Sequence, residues 1–377
     1  MAVELRYAAR HEYDSVSRFL NEYWANDHIY VRSKPLFDWT FGRSNLWPDD
    51  TYTFAVAENG SELVGILGGI PFVLNQFGQK SRGVWIVNYV IRPDHRKGTM
   101  ALQLLSKFRR PEFPTVVAFG INPATSAIYR VLRGQVLPSI PRYLAVMPHA
   151  VDRMMSLLQI AHPEWEAAKL RALAEACRLP GVPDTSVSAS GEIPSTWDTD
   201  AWPKFAAQAV GAERDIDYLT WRYLRHPTFQ YRVITVDDPD GPGLAVWRME
   251  TIRQKTPEGL KDVDRMARLV EFLPSSHANA LRLGAAFLQQ ASTEGAMAAD
   301  FYGYHACVRR WLADSGFVCA DDLADGDGLP SRFQPLDGKG GGIMSAMFGE
   351  SSLPACSSDP SCAWYWTKSD SDQDRPN

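Results

Sequence analysis

Val87-Asn88-Tyr89-Val90-Ile91-Arg92-Pro93-Asp94-His95-Arg96-Lys97-Gly98-Thr99-Met100-Ala101 is the stretch that decides the reading of this chain. An apolar run rich in β-branched residues stops at Pro93, which has no N–H to give to a sheet. A basic turn containing Gly98 follows, and the pattern from Leu102 to Phe108 is helical. This order aims backbone N–H groups and the positive end of a helix at one spot. Such a spot suits an anion such as a pyrophosphate.

The next segment extends the unit. Thr115 to Ile121 is short, apolar and β-branched, as a buried strand is. Asn122-Pro123 has the form of a helix cap with proline at the first helical position. A helix from Ala124 to Arg133 then stops at Gly134.

Strand, Arg-Pro, Arg-Lys-Gly and helix in this order resemble the acyl-CoA-binding segment of the GNAT (GCN5-related N-acetyltransferase) superfamily. That family carries Arg or Gln, two residues, Gly, one residue, then Gly or Ala. In the phase set by Pro93 those places hold Arg96, Thr99 and Ala101, with Gly98 one place early. The resemblance implies acyl-CoA as co-substrate, without a metal, and acyl transfer to an amine. It implies CoA contacts from Val90, Ile91, Arg92, Arg96, Lys97, Gly98, Thr99, Asn122 and Ser126. The family's strand, Asn and short helix with a Tyr also match, with the gap from Tyr129 to Gly134 one residue longer. In the family that Tyr protonates the departing thiolate, the role implied for Tyr129. An amphipathic core position accounts for Tyr129 equally well.

The unit occurs twice. Leu36-Phe37-Asp38-Trp39-Thr40-Phe41 has a counterpart in Tyr218-Leu219-Thr220-Trp221-Arg222-Tyr223. Trp39 and Trp221 are 182 residues apart, Pro93 and Pro274 are 181, and Tyr129 and Trp311 are 182. A near-constant offset over whole elements marks a domain duplication, each copy long enough to bury its own core. Copy two has His277 to Arg282 in place of the basic Gly turn and Trp311 in place of Tyr129. It is expected to be a degenerate partner that walls the substrate cleft.

The expected class is α/β (α+β) with mixed sheets, as two tandem GNAT-like domains. Residues 1–148 form the acyl-CoA-binding domain, with an extended Arg142 to Met147 closing it. Residues 149–195 are a helical segment, broken at His162-Pro163, and a Pro/Ser/Gly-rich linker. Residues 196–377 form the second domain and tail. Gly338, Gly340, Gly341 and Gly342 suggest a flexible loop.

The charge balance, 39 Lys+Arg against 44 Asp+Glu, gives no support to a nucleic-acid partner. No apolar run reaches membrane-spanning length and the start is not leader-like, so a cytoplasmic location without a membrane partner is expected. The five cysteines, Cys356 and Cys362 among them, have neither a disulfide nor a zinc spacing and read as free thiols.

The chemistry needs a neutral amine held close to a thioester, and a donor for the thioester oxygen. That donor would be the N–H of Val90 or Ile91. Asn88 stands where a carboxylate base would stand, and an amide is no base at neutral pH. A base could come from copy two, from Glu271 or His305, or the amine could attack directly. Glu271 interrupts an apolar run, and burial would raise its pKa toward base chemistry. His305 fits a core histidine better. The tail, with Asp370, Asp372 and Asp374, is either a solvated end or a lid over the substrate.

The tandem order and tail also resemble GNAT sugar N-acyltransferases of surface-polysaccharide synthesis. That resemblance implies a nucleotide-linked amino sugar as acceptor. A peptidoglycan-bridge-type aminoacyl transferase and a non-catalytic GNAT-fold binding protein are the rivals.

Overall fold

The computed structural model describes residues 3–374 apart from 44, 48–49, 122, 183–188, 339–341 and 350–362. In the first copy, β1 (Glu4–Ala9), β2 (Thr51–Asn59), β3 (Glu62–Gln76) and β4 (Gln79–Ile91) form an antiparallel meander. Helices α1 (Tyr13–Tyr23), α2 (Ile29–Arg32) and α3 (Lys34–Phe41) connect β1 to β2. Ser33 caps α3 by accepting from the Leu36 N–H, with Pro35 in the first turn. After β4 come α4 (Met100–Ser106), β5 (Thr115–Ile121), α5 (Pro123–Val131) and β6 (Gln135–Leu137). The ring of Phe108, just past α4, fills the space a Cβ at Gly69 would need, so this glycine lets the helical segment lie close on the sheet.

The second copy repeats the plan. Past β7 (Arg142–Val146), α6 (Val151–Ala161) and α7 (Ala167–Ala176) bracket the expected break at His162-Pro163. Then come α8 (Trp202–Ala206), β8 (Val210–Ala212) and α9 (Ile216–Leu219). The sheet-forming part is β9 (Arg232–Val236), β10 (Gly243–Thr256), β11 (Gly259–Leu273), α10 (His277–Thr293), β12 (Ala298–Tyr302), α11 (Ala306–Asp314) and β13 (Val318–Cys319). A small hairpin, β14 (Arg332–Phe333) with β15 (Leu336–Asp337), precedes β16 (Met344–Gly349) and β17 (Trp364–Tyr365).

Two strands are exchanged. The first sheet runs β1-β2-β3-β4-β5-β16-β6, and the second β13-β7-β12-β11-β10-β9. Arg142–Val146, expected to close the first copy, lies instead between β12 and β13, antiparallel to both. Met344–Gly349, from the far end of the chain, takes the matching place between β5 and β6, also antiparallel to both. Each strand closes two edges of the other copy's sheet, so separating the copies would leave ladders unpaired in both. The tail adds a further tie. β17 pairs with β8, which pairs with β3, while Thr367 bridges Gly303 in the second copy.

One apolar core spans both sheets, and a smaller one lies under α4 and α5. Among the described residues no helix is long and apolar enough to cross a membrane.

Candidate active site

In both copies two parallel strands diverge beside a bulge. β4 pairs with β5 only from Gly83–Thr115 to Ile86–Ala118. Val87 faces Gly68 and Val90 faces Ile66, so Asn88 and Tyr89 share the single partner Leu67. Asn88 takes the left-handed conformation, φ 50°, which Asn tolerates better than other side chains. It is buried, and its Oδ1 reaches no hydrogen-bond partner. An orphaned buried acceptor beside diverging strands fits a ligand that inserts there and brings its own donors.

The sequence-marked residues surround this cleft unevenly. Val90 is buried and Ile91 partly so. Arg92 is tied to Glu62 at 2.9 Å and Asp94 at 2.7 Å. Arg96 Nε donates to the Ile91 carbonyl at 3.0 Å, so it braces the strand end. Lys97 and Gly98 are exposed, Gly98 with φ 108°, and Thr99 makes no side-chain cap on α4. Asn122 lies outside the described residues. Ser126 is buried, donating to the Pro123 carbonyl and accepting from Arg130.

Tyr129 comes from α5 toward the bulge. Its ring packs against Phe348, and burial pushes its hydroxyl up to about 12. Tyr89 is a second tyrosine here, which sequence reasoning passed over. It donates to the Ala101 carbonyl, and burial followed by the nearby Tyr129 raises its pKa. A tyrosine within the bulge itself was the available sign.

The corresponding cleft of copy two is filled. β11 and β12 pair from Met266–Ala298 to Leu269–Phe301 and then part, with a bulge at Val270. The tail enters there. The Tyr365 hydroxyl accepts from the Phe272 N–H at 3.0 Å, and the Lys368 N–H donates to the Tyr302 carbonyl at 3.2 Å. Phe205, from α8, stacks on His305 and packs against Tyr365. The remaining space is about 40 Å³, lined by Trp197, Phe205, Leu273, His305 and Trp311 among others.

Glu271 and His305 belong to this filled cleft. Glu271 is fully buried and accepts from Arg214 Nε (2.6 Å), Tyr223 (2.6 Å) and Tyr365 (2.8 Å). Burial raises its pKa, as the sequence suggested, against the pull of Arg214. His305 is held at φ 100°, and burial lowers its pKa to about 4.

The tail is neither solvated nor loose. Asp370, Asp372 and Asp374 are all buried. Asp370 takes a two-pronged contact from Arg214 Nη2 at 2.9 and 3.0 Å and a bond from the Thr367 N–H. Asp374 accepts from Arg248 at 2.6 Å and Tyr231 at 2.7 Å. Asp372 accepts from Gln373, whose amide also reaches the Phe119 carbonyl at 3.5 Å.

Where the copies meet, a cavity of about 470 Å³ opens. Gly120, at the end of β5, and Gln373 give it a wall beside the first copy's cleft. The second sheet contributes Arg248, Glu250, Arg268 and Tyr302, and the tail contributes Lys368 and Asp374. Of the three tail aspartates only Asp374 lines it, and Glu271 and His305 do not. Arginines inside apolar strands, as in Val246-Trp247-Arg248 and Met266-Ala267-Arg268, were the readable sign of this face.

Comparison with solved structures places the fold. A GCN5-related N-acetyltransferase from Anabaena variabilis superposes with a TM-score of 0.53 at 12% identity, over 92% of this chain and 72% of that one. Saccharomyces cerevisiae N-myristoyltransferase with bound myristoyl-CoA gives 0.55 at 13%, over 93% and 84%. A second structure of that yeast enzyme with myristoyl-CoA gives 0.56 at 12%, over 94% and 80%. At such identities the likeness establishes the GNAT fold, here in tandem. Comparison with protein-family models and with curated proteins found no match.

Proposed function

We propose that this chain is an acyl-CoA-dependent N-acyltransferase that binds its donor in the cleft of the first copy and its amine acceptor in the seam cavity. The observation that carries the reading is the asymmetry between the clefts. In copy two the tail and Phe205 occupy the space between the parting strands. In copy one the same place holds a bulge with an orphaned amide oxygen. The solved relatives supply the reaction class: one is described as an N-acetyltransferase and another holds myristoyl-CoA.

The roles follow from position. The N–H of Val90 or Ile91, on the strand past the bulge, is the donor for the thioester oxygen. The Tyr129 hydroxyl stays protonated at neutral pH, the state in which it can give a proton to the leaving thiolate. Glu271 is saturated with donors and His305 faces the filled cleft. With neither of them at the acceptor cavity, the reading we adopt is direct attack by the amine, which loses its proton to water. The acceptor we favour is the amino group of a nucleotide-linked sugar, and the charged seam is compatible with it.

Calorimetry with CoA tests the donor site, and release of free thiol from acyl-CoA with a panel of nucleotide amino sugars tests the acceptor. Arg96→Ala should weaken CoA by about 1–3 kcal/mol, through lost charge and a loosened strand end, while Arg282→Ala should do little. No CoA binding, or equal losses in the two variants, would remove the donor assignment. Tyr129→Phe should slow the chemical step by roughly 10²–10⁴-fold with CoA affinity kept. Normal turnover would make the hydroxyl structural.

A further inference from the structure

The second sheet presents an unusual set of charges to the seam. Arg142, Arg248 and Arg268 are buried there with Glu250, Asp300 and Asp374. Arg142 and Arg268 both reach Asp300, at 3.0 and 3.1 Å. Arg248 holds Glu250 and Asp374, and Arg268 lies 3.8 Å from Glu250. Burial works against the charged carboxylates. Arg268 and Arg142 overcome it at Asp300, and Arg248 does so at Asp374, so both stay ionised at neutral pH. Three guanidinium groups thus face three carboxylates.

Lys368 is the charge left over. Among the described residues it forms no ion pair, and its ammonium lies over the ring of Tyr302, 4.7 Å from the centre. Asp300, Asp374 and Glu250 attract it from a distance. Burial and then Arg268 oppose its charge more strongly, bringing it down to about 7. Arg332 is exposed at the cavity edge, with Asp337 across the hairpin. The other wall, Phe333, Pro335 and Ile343, is apolar.

We propose that the seam cavity is an oxyanion site, taking a small organic molecule by a carboxylate or phosphate group held by Lys368 and Arg332. A cationic ligand would meet a surplus of positive charge. One negative charge completes the balance with Lys368 protonated. The volume is that of small-molecule sites, and the apolar wall suits an organic body. This deepens the acyltransferase reading by naming the groups that hold the acceptor's anionic part, and rests on that reading only for the role of acceptor.

An anion beside Lys368 should raise its pKa by about 1–3 units. Binding at pH 8 should then take up roughly 0.4–0.9 proton, and at pH 6 almost none. The test is calorimetry of the full chain with UDP, inorganic phosphate and succinate, at both pH values in buffers of different ionisation enthalpy. At least one probe should bind, and proton uptake should appear at pH 8. Preference for UDP and phosphate names a phosphate source, and preference for succinate a carboxylate. Lys368→Arg should bind within about threefold of wild type at pH 6 and about tenfold more tightly at pH 8, with the lysine's proton uptake lost, because arginine does not titrate. Lys368→Met should bind at least tenfold more weakly. Arg332→Ala, at an exposed position, should also weaken binding, which covers the case in which the methionine variant fails to fold. No binding of any probe, equal binding by Lys368→Met, or proton uptake at pH 8 no smaller in Lys368→Arg than in wild type would overturn the proposal. CoA is titrated alongside. Loss of CoA binding with anion binding intact would defeat the acyltransferase reading and leave this site standing.

Discussion

Trp39 and Trp221, counterparts in the two copies, stack on each other with ring centres 4.7 Å apart and planes 18° from parallel. The Trp39 indole N–H donates to the Trp221 carbonyl at 3.2 Å. A residue that meets its own counterpart lies where an approximate two-fold axis would pass, as in a symmetric dimer. The exchanged strands, β7 and β16, obey the same relation. The protein is thus built like a dimer within one chain, with the tail and Phe205 filling the cleft of the second copy.

The stack should couple energetically. Trp39→Ala and Trp221→Ala should each destabilise by roughly 2–4 kcal/mol, since both rings are half-buried at the junction. In a double-mutant cycle the pair should show about 0.5–1.5 kcal/mol of coupling. Urea unfolding of the four proteins measures this. Strict additivity would mean that the rings share a location and no interaction.

The tail should be a structural part. A mere lid could be cut away without loss of stability. Here Asp370 and Asp374 neutralise the buried Arg214 and Arg248. Removing Asp370 or Asp374 leaves Arg214 only Glu271 and Arg248 only Glu250, and breaking a buried ion pair costs up to roughly 3–5 kcal/mol. Asp370→Asn should therefore lower the melting temperature clearly, and deletion of 369–377 should lower it further. An unchanged melting curve after the deletion would contradict the buried tail.

Much of this was legible in the sequence, for local reasons. Val87 to Ala101 showed its strand, turn and helix through β-branching, proline and glycine. The duplication showed through Trp39 and Trp221. The strand exchange was not legible. Arg142 to Val146 is an apolar strand whichever sheet receives it, and no periodicity names the partner. Met344–Gly349 was hidden because it follows a glycine-rich run. Asp370 and Asp374 looked solvated because alternating aspartates usually are, and the arginines that bury them lie 156 and 126 residues away. Lys368 stood beside those aspartates and was passed over for the same reason.

Asn88 should be tuned to its backbone. At φ 50° glycine is at ease, while a β-branched residue is penalised by about 1–2 kcal/mol. Asn88→Gly should keep most of the stability and the bulge, and Asn88→Val should lose about that amount. If CoA binds in this cleft, Asn88→Val should also weaken CoA binding more than Asn88→Gly does. Equal stability of the two variants would mean that the bulge is not maintained in solution.

The protein should lose stability in mild acid through two buried histidines. Burial, assisted by Arg222, lowers His226 to about 3, and burial lowers His305 to about 4. In the unfolded chain both titrate near 6.5. Between that pH and the folded values the unfolded state takes up protons that the folded state refuses, so stability falls as pH falls from about 6.5 toward 4. Each histidine contributes about 1.4 kcal/mol per pH unit in this window, so at pH 5 the two together cost roughly 4 kcal/mol. The His226 Nδ1 accepts from the Thr228 and Phe229 N–H groups, so asparagine, which has an acceptor and no titration, is the useful replacement there. The stability of His226→Asn and His305→Asn, measured by urea unfolding at pH 7.5 and pH 5, should vary less with pH than that of the wild type. The double variant should lose most of the acid slope, whatever its stability at pH 7.5. A slope unchanged in the double variant would place the acid sensitivity in other groups and mean that both rings can take a proton without unfolding.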